Sequence, residues 1–386
     1  MGLFCISPLF SSLSNGLGAY DGFSESFKEV VKWGAPYAVG RIYFSDRRAL
    51  GELAAAVFVA GLVYIPFCLI EIRFSPQLHR LIYGYHQHVF AQTIRYGGFR
   101  PMVFMDHGLM VGMWMCAAAT AGLWMFYSGG LGLHLRRLFS WNSEVPRWPA
   151  FSPPLLGILA GLLLLVAVAV KSTGAIALML VALGTLFAVA RFRTIFLPLA
   201  LLLLFPLYVG LRAYQVWDGT NIITIVARGR MDRAQSLEFR MLNENKLALK
   251  ATQRPLFGWG GWNRSRIFDE EGRDLVVTDG QWVIMLGTRG FFAIVLFSLI
   301  MGLPLLLLWR RHPLPAWRTP EVAPLAFMAV WLIIYMIDCI PNSMLNPVYT
   351  LFLGGMIGWG LSPEEAPAVA ASAEPPPPPS TRVLAC

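Results

Sequence analysis

Long apolar runs alternate with short basic connections along this chain. Runs of roughly 18 to 24 residues suit about 30 Å of hydrocarbon at 1.5 Å of helical rise per residue. They predict spans at Leu50–Ile70, Phe104–Tyr127, Phe151–Val170, Thr173–Ala190, Thr194–Leu211, Gln281–Trp309, Val322–Ile340 and Leu345–Leu361. A weaker run, Val30–Phe44, carries Lys32 and Trp33 and reads as partly interfacial, and Met1–Leu13 reads as the remnant of a further span. The expected fold is all-α: a polytopic helical membrane protein with about nine or ten transmembrane helices.

Two segments interrupt the pattern. Glu71–Val103 is an amphipathic loop with Arg, His and Tyr, and Arg212–Gly280 is the one long polar segment. The end of the chain, "EEAPAVAASAEPPPPPS", is low in complexity and cannot bury a core. The expected organisation is a transmembrane domain over 1–361, with 212–280 as an extracytoplasmic loop, followed by a disordered, Pro-rich, dispensable cytoplasmic tail over 362–386. Met1–Leu13 lacks the basic start and cleavage site of a signal peptide, so the chain reads as beginning mid-architecture with upstream spans missing. Neither short repeats nor paired broken helices of the transporter kind are visible.

Composition supports the membrane reading: 56% of the 386 residues are hydrophobic and only 14% charged, against about 25% charged in soluble domains. So few polar residues could not cover a soluble protein of this size. The net charge of +9 lies beside the spans, where it reports topology rather than nucleic-acid binding. Arg47, Arg48, Arg136, Arg137, Arg147, Arg191, Arg193, Arg310, Arg311 and Arg318 fall on one side, and Arg73, Arg80, Arg95, Arg100 and Lys171 on the other. The first set is expected to face the cytoplasm of a bacterial inner membrane. The cysteines (Cys5, Cys68, Cys116, Cys339 and Cys386) form no CxxC or Cys/His set, and three of them read as small hydrophobes within apolar runs.

The candidate chemistry lies in 212–280. "ARGRMDRAQSLEFRMLNENKLALKATQRP" predicts a basic amphipathic helix with Arg233, Arg240 and Arg254 as its notable cations. Leu237, Met241, Leu247 and Leu249 form a stripe suited to resting on membrane lipids, and Pro255 ends the helix. "LFGWGGWN" follows. Gly258 and Gly260 allow tight turns and close approach to a ligand, and Trp259 and Trp262 suit headgroups or a sugar face. Asp279 then stands at the mouth of the next span, with Arg289 two to three turns down it. Guanidiniums grip phosphate oxygens bidentately, so several could hold a diphosphate with no metal or other cofactor. A carboxylate beside them could take a proton from an incoming hydroxyl. The competing reading pairs these arginines with lipid headgroups and with nearby acids such as Asp232, Glu238 and Glu244.

The order Arg240, "RPLFGWGGWN", "TDGQWVIMLGTRG" resembles the O-antigen ligase and Wzy-like polymerase family over about Phe151 to Trp309. That resemblance implies a metal-independent membrane glycosyltransferase of the GT-C class. Its partners would be an undecaprenyl-diphosphate-linked glycan donor and a glycan or lipid-core acceptor. It implies that Arg240 holds the donor diphosphate and that Asp279 activates the acceptor. The chain departs from the family in two places: family ligases often have histidine at the position of Asp279, and the family's "SRG" reads "KSTGA" here. Thr173 stands at the arginine's place, with Lys171 as the nearest cation.

Other ionisable groups are candidates of lower rank. His86 and His88 are expected to be interfacial rather than metal-binding. Asp106 and His107 stand at the external mouth of a span, where ionisable residues are functional candidates, with ordinary N-capping by Asp106 as the alternative; Asp338 is expected to find an interhelical partner or a catalytic role. The rival function is a transporter or flippase for a lipid-linked or anionic substrate, which should show midplane charges and broken helices. A non-catalytic scaffold of polysaccharide export is a third reading.

Overall fold

The computed structural model describes residues 1–139, 152–228, 231–261 and 263–363. The tail expected beyond Leu361 lies outside these residues from position 364, as do Trp262 and the side chain of Arg233.

The chain is predominantly helical. Short helices α1 (Gly2–Cys5) and α2 (Ser7–Ser14) lead into α3 (Ala19–Glu29), which continues through a π-helical turn, Val30–Gly34, into α4 (Ala35–Tyr43). The weak run of the sequence is therefore the second half of one helix with a bulge in it. Pro36 explains the bulge, because it has no N–H for the carbonyl four residues back and its ring crowds that carbonyl.

The bundle follows: α5 (Arg47–Phe74), the short α6 (Leu78–Tyr83), α7 (Gly108–Tyr127), α8 (Leu131–Phe139), α9 (Pro153–Ala169), α10 (Thr173–Phe192) and α11 (Phe196–Ala213). The long loop contributes α12 (Thr220–Ala227) and α13 (Met231–Ala251), before α14 (Gln281–Arg311), α15 (Ala323–Asp338) and α16 (Pro347–Leu361). A two-stranded hairpin, β1 (Ile94–Arg95) with β2 (Gly98–Phe99), is the only sheet among the described residues. Five of the described helices, α5, α7, α10, α11 and α14, are long and apolar enough to cross a membrane. The apolar helices α9, α15 and α16 are shorter.

Helix α15 is the centre of the packing. Fifteen of its side chains are buried, as expected of a helix apolar on every face. Small residues let backbones approach closely around it. A methyl group at Gly61 would stand 2.4 Å from Ala118, and one at Gly40 would stand 2.1 Å from the Leu351 carbonyl oxygen. Cys5, Cys68, Cys116 and Cys339 are buried and free.

The alternating helices separate two ends. One, the arginine end, gathers the start of α5, α8, and the ends of α10, α14 and α16, and is tied across by Arg137–Glu321 at 3.0 Å. The other, the loop end, carries the 75–107 segment and the 212–280 loop.

Helix α14 differs most from its sequence expectation. Its run is continuous, but Gly290 (φ 68°, ψ −169°) breaks it into two helices. The "RPLFGWGG" turn closes the break. Phe291 and Phe292 donate their N–H groups to the carbonyls of Pro255 and Leu256, at 2.7 and 3.1 Å. The carbonyls of Gly287 and Thr288 accept from the N–H groups of Trp259 and Gly260, at 2.8 and 3.0 Å. Four bonds thus replace the helical ladder where it is cut.

Candidate functional site

Helix α13 forms as its sequence predicts, but its apolar stripe divides between two faces. Met241 and Leu247 are buried against the protein, while Leu249 is exposed on the other face beside Leu242 and Phe239. The docked face is set by polar contacts as well. Glu244 accepts from Tyr208 Oη at 2.9 Å and pairs with the buried Arg212 at 3.3 Å. Burial, the largest influence, nevertheless raises the Glu244 carboxyl above its usual range.

One turn of this helix positions the candidate reactive pair. Asn243 Oδ1 accepts the N–H of Val277 at 3.1 Å. From the other side, Arg266 donates to the Val276 carbonyl at 2.7 Å and to Thr278 Oγ1 at 2.9 Å. The extended stretch leading to Asp279 is therefore held at three successive residues. Arg240 lies three residues before Asn243, on the same helix face. Its Nε meets Asp279 Oδ2 at 3.1 Å, and both side chains stay partly open to solvent. The two residues singled out from the sequence thus form one ion pair.

The 75–107 segment supplies further groups near this pair. Glu71, buried at the end of α5, accepts the N–H groups of Leu78, Met102 and Val103 at 3.0, 2.8 and 2.7 Å, which pins the segment to the bundle. Tyr96 and Gly97 both have positive φ, as a two-residue type I′ hairpin turn requires. Tyr96 Oη bonds Thr173 Oγ1 at 2.8 Å. The Lys171 ammonium fills the space above Gly98, where a methyl group would stand 2.3 Å from it. Lys171 and Thr173 thus anchor the hairpin that carries Arg95.

Arg100 is buried with its Nε unpartnered, and its Nη2 donates to the Gln92 carbonyl at 3.0 Å. Burial, followed by the charges of Arg95 and Arg240, lowers its guanidinium to about 10. His107, a candidate at the span mouth where Asp106 was the expected cap, is itself the N-cap of α7. Its Nδ1 accepts the Leu109 N–H at 3.0 Å, so the ring proton rests on Nε2 and meets Gln92 Oε1 at 3.1 Å. Asp106 is exposed and does not cap. Burial and then the charge of Arg100, with smaller effects from His88, Arg95 and Arg240, push His107 down to about 4. Arg95, Arg100 and Arg240 therefore share one electrostatic neighbourhood, with Asp279 as the paired carboxylate. A signal was present in the sequence: "RYGGFRPMVFMDHG" places two arginines and a histidine directly before a span.

The depressed His107 has a stability consequence. The unfolded chain takes up the proton near pH 6.5 and the folded chain only near pH 4, so folding is opposed as pH falls through that window. Thermal stability is expected to drop between about pH 6.5 and 4, with less of a drop in His107→Asn, which keeps a capping side chain. Identical pH profiles for the two proteins would remove His107 as the cause.

The remaining sequence candidates lie elsewhere. Arg254 stacks over Trp259 at 4.7 Å and donates to Asn15 Oδ1. Roughly 16 Å of helix separates Arg240 from Ala251, and Arg254 lies beyond that, so the two cations are not brought together. Trp259, Gly258 and Gly260 use their backbone N–H groups within the protein: two at the α14 break and one, from Gly258, to the Arg254 carbonyl. Arg289 is buried, pairs with Glu29 at 2.9 Å and lies over the ring of Phe4. Asp338 is bonded by Asn342 from the turn that follows its own helix, at 2.7 Å, rather than by another helix. His88 packs edge-on against the ring of His107. No group of three or more metal-binding side chains gathers among the described residues.

Fold and site together define a bundle of apolar helices with a cluster of arginines and the Arg240–Asp279 ion pair at its loop end. Comparison of the chain with protein-family models, curated proteins and solved structures finds no match.

Proposed function

We propose that the protein is a metal-independent membrane glycosyltransferase acting on an undecaprenyl-diphosphate-linked glycan, in the manner of the O-antigen ligases and polymerases it resembles. The reading includes nine or ten spans, a GT-C-like architecture, and a bacterial inner membrane with the arginine end cytoplasmic. The loop end then faces outward, where the glycan of a flipped lipid-linked donor is found.

The observation that carries the proposal is the Arg240–Asp279 pair beside Arg100 and the Arg95 hairpin. A donor diphosphate is a stronger partner for Arg240 than one carboxylate, because the guanidinium fork matches its oxygens. Its arrival would release Asp279 from the pair. Asp279 then takes the proton of an acceptor hydroxyl as that oxygen attacks the anomeric carbon. The bond from that carbon to the diphosphate oxygen breaks, and the leaving diphosphate carries away the electron pair, held by the arginines. Attack opposite the leaving group inverts the anomeric centre. The acceptor is a lipid-core sugar in a ligase, or another lipid-linked glycan in a polymerase.

The transporter reading gains support from the Gly290 break and from the Glu29–Arg289 pair inside the bundle. In transporters, however, broken helices turn free backbone groups toward the substrate. Here the carbonyls of Gly287 and Thr288 and the N–H groups of Phe291 and Phe292 are bonded to the 255–260 turn. A cavity of about 690 Å³ opens beside the break, lined by Gly260, Thr288 and Arg289, but these backbone groups are already bonded within the protein, which favours the enzyme.

A strain lacking this protein should lose a surface polymer and accumulate the lipid-linked glycan. Purified protein should transfer that glycan equally well with EDTA present. Transfer that is lost in EDTA and restored by Mg²⁺ or Mn²⁺ would contradict the arginine-based site. Movement of the glycan across vesicles without transfer would favour the transporter.

A further inference from the structure

At the arginine end, a pocket of about 500 Å³ opens between α7, α10 and the Pro-rich turn before α15. Arg191, Arg193 and Arg318 line it together with Tyr127, Phe187 and Pro315. The three guanidiniums belong to different parts of the chain: the last turn of α10, its C-cap, and the turn Leu314–Arg318. Among the described residues none of them has a carboxylate partner. The same end does supply acids for other arginines, with Arg137 gripped by Glu321 through two 3.0 Å bonds and Arg48 by Glu52 at 2.8 Å. What sets this pocket apart is that three arginines converge on one cavity.

Two further observations bear on what would fill it. Arg193 holds a left-handed conformation (φ 54°) at the C-cap of α10, a place usually taken by glycine. The chain thus accepts some backbone strain there while presenting a long cationic side chain. The apolar part of the lining is aromatic: Tyr127 and Phe187 meet edge to face at 4.9 Å. Both are substantially exposed, and so is neighbouring Phe192. The pocket therefore joins a trio of guanidiniums to an apolar flank.

We infer that this pocket binds the phosphate headgroup of an anionic phospholipid, with its acyl chains along Phe187 and Phe192. Guanidiniums match phosphodiester oxygens, and basic pockets between spanning helices take anionic headgroups. A small soluble anion would make no use of the aromatic flank. The inference rests on the membrane embedding of the bundle and is independent of the transferase reading, because the pocket lies at the opposite end.

Native mass spectrometry of the full-length protein tests it, with phosphatidylglycerol titrated against phosphatidylcholine. The wild type is expected to prefer phosphatidylglycerol. Arg191→Gln, Arg193→Gln and Arg318→Gln should each weaken its binding about fivefold, and the triple variant roughly a hundredfold. Arg310→Gln, at the same end but outside the pocket, should change it less than twofold. Arg193→Gly guards against misfolding as the cause: it removes strain, so it should melt no lower than wild type while still losing affinity. Unchanged binding in the triple variant would overturn the inference. So would an equal loss in Arg310→Gln, which would mean diffuse attraction. Equal competition by millimolar glycerol phosphate or inorganic phosphate would assign the pocket to a soluble anion instead.

Discussion

Asp279→Asn is expected to lower glycan transfer by about 10²- to 10⁴-fold, the usual contribution of a positioned general base, while leaving the protein folded. The separation of the two effects follows from exposure. The Arg240 and Asp279 side chains are 42% and 34% accessible, and ion pairs this open contribute about 0–1 kcal/mol to stability. A loss of turnover far above that scale cannot come from unfolding. Asp279→His should keep part of the activity, since a neutral imidazole can accept the same proton. Arg240→Lys should lose most of it, because an ammonium cannot reproduce the two-pronged grip on phosphate. Arg100→Lys should weaken donor binding more than the rate with bound donor, since Arg100 is held by Gln92 beside the pair. Arg289→Gln is the contrast: it strips Glu29 of a buried partner, so its effect should fall first on thermal stability. The assay is transfer from a purified lipid-linked donor, with melting measured for every variant. Near-normal turnover by folded Asp279→Asn would end the general-base assignment and leave the arginine cluster as a binding surface.

Most of the helical plan was legible in the sequence because apolar run length is a local property. Eight predicted runs appear as α5, α7, α9, α10, α11, α14, α15 and α16, within a few residues at their ends. The Arg240–Asp279 pairing was only partly legible. Pattern and resemblance named both residues, but their contact depends on Asn243 and Arg266 steering the 274–279 segment, and no periodicity encodes that. The association of Arg100 and His107 with Arg240 was hidden for a different reason. They lie more than 130 residues before Arg240, and they gain significance only through the Glu71 anchor that folds the segment back. The break at Gly290 was masked by its own hydrophobicity: "GTRGFFAIV" reads as uninterrupted helix unless the distant "RPLFGWGG" is known to supply the missing backbone partners. The rigidity of that glycine- and tryptophan-rich turn was legible; the helix it serves was not.

The largest effect on stability is expected from Gly290→Ala and Gly258→Ala. Gly290 has φ 68° and ψ −169°, a region essentially closed to residues with a Cβ and costing about 1–3 kcal/mol to occupy. A methyl group there would also stand 2.4 Å from the Leu256 carbonyl oxygen, and overpacking of this kind costs about 1–3 kcal/mol more. Gly258, at φ 68°, is its counterpart across the junction, with a methyl group 2.6 Å from the Arg289 nitrogen. In both cases the obstacle is backbone, which cannot swing aside as a side chain can. Each substitution should therefore cost roughly 2–6 kcal/mol, enough to deplete folded protein in the membrane. Because both press on the same four hydrogen bonds, the double variant should cost less than the sum of the two. Two other glycines calibrate the series. Gly261 has φ 61° but nothing closer than 3.7 Å, so Gly261→Ala should cost only the conformational strain, about 1–2 kcal/mol. Gly184, inside α10 with open space around it, should be neutral or gain up to about 1 kcal/mol as alanine. Expression and thermal melting in detergent would rank the four. A Gly290→Ala protein that melts with Gly184→Ala would mean that α14 can run straight through this point, and that the 255–260 turn does not depend on the break it closes.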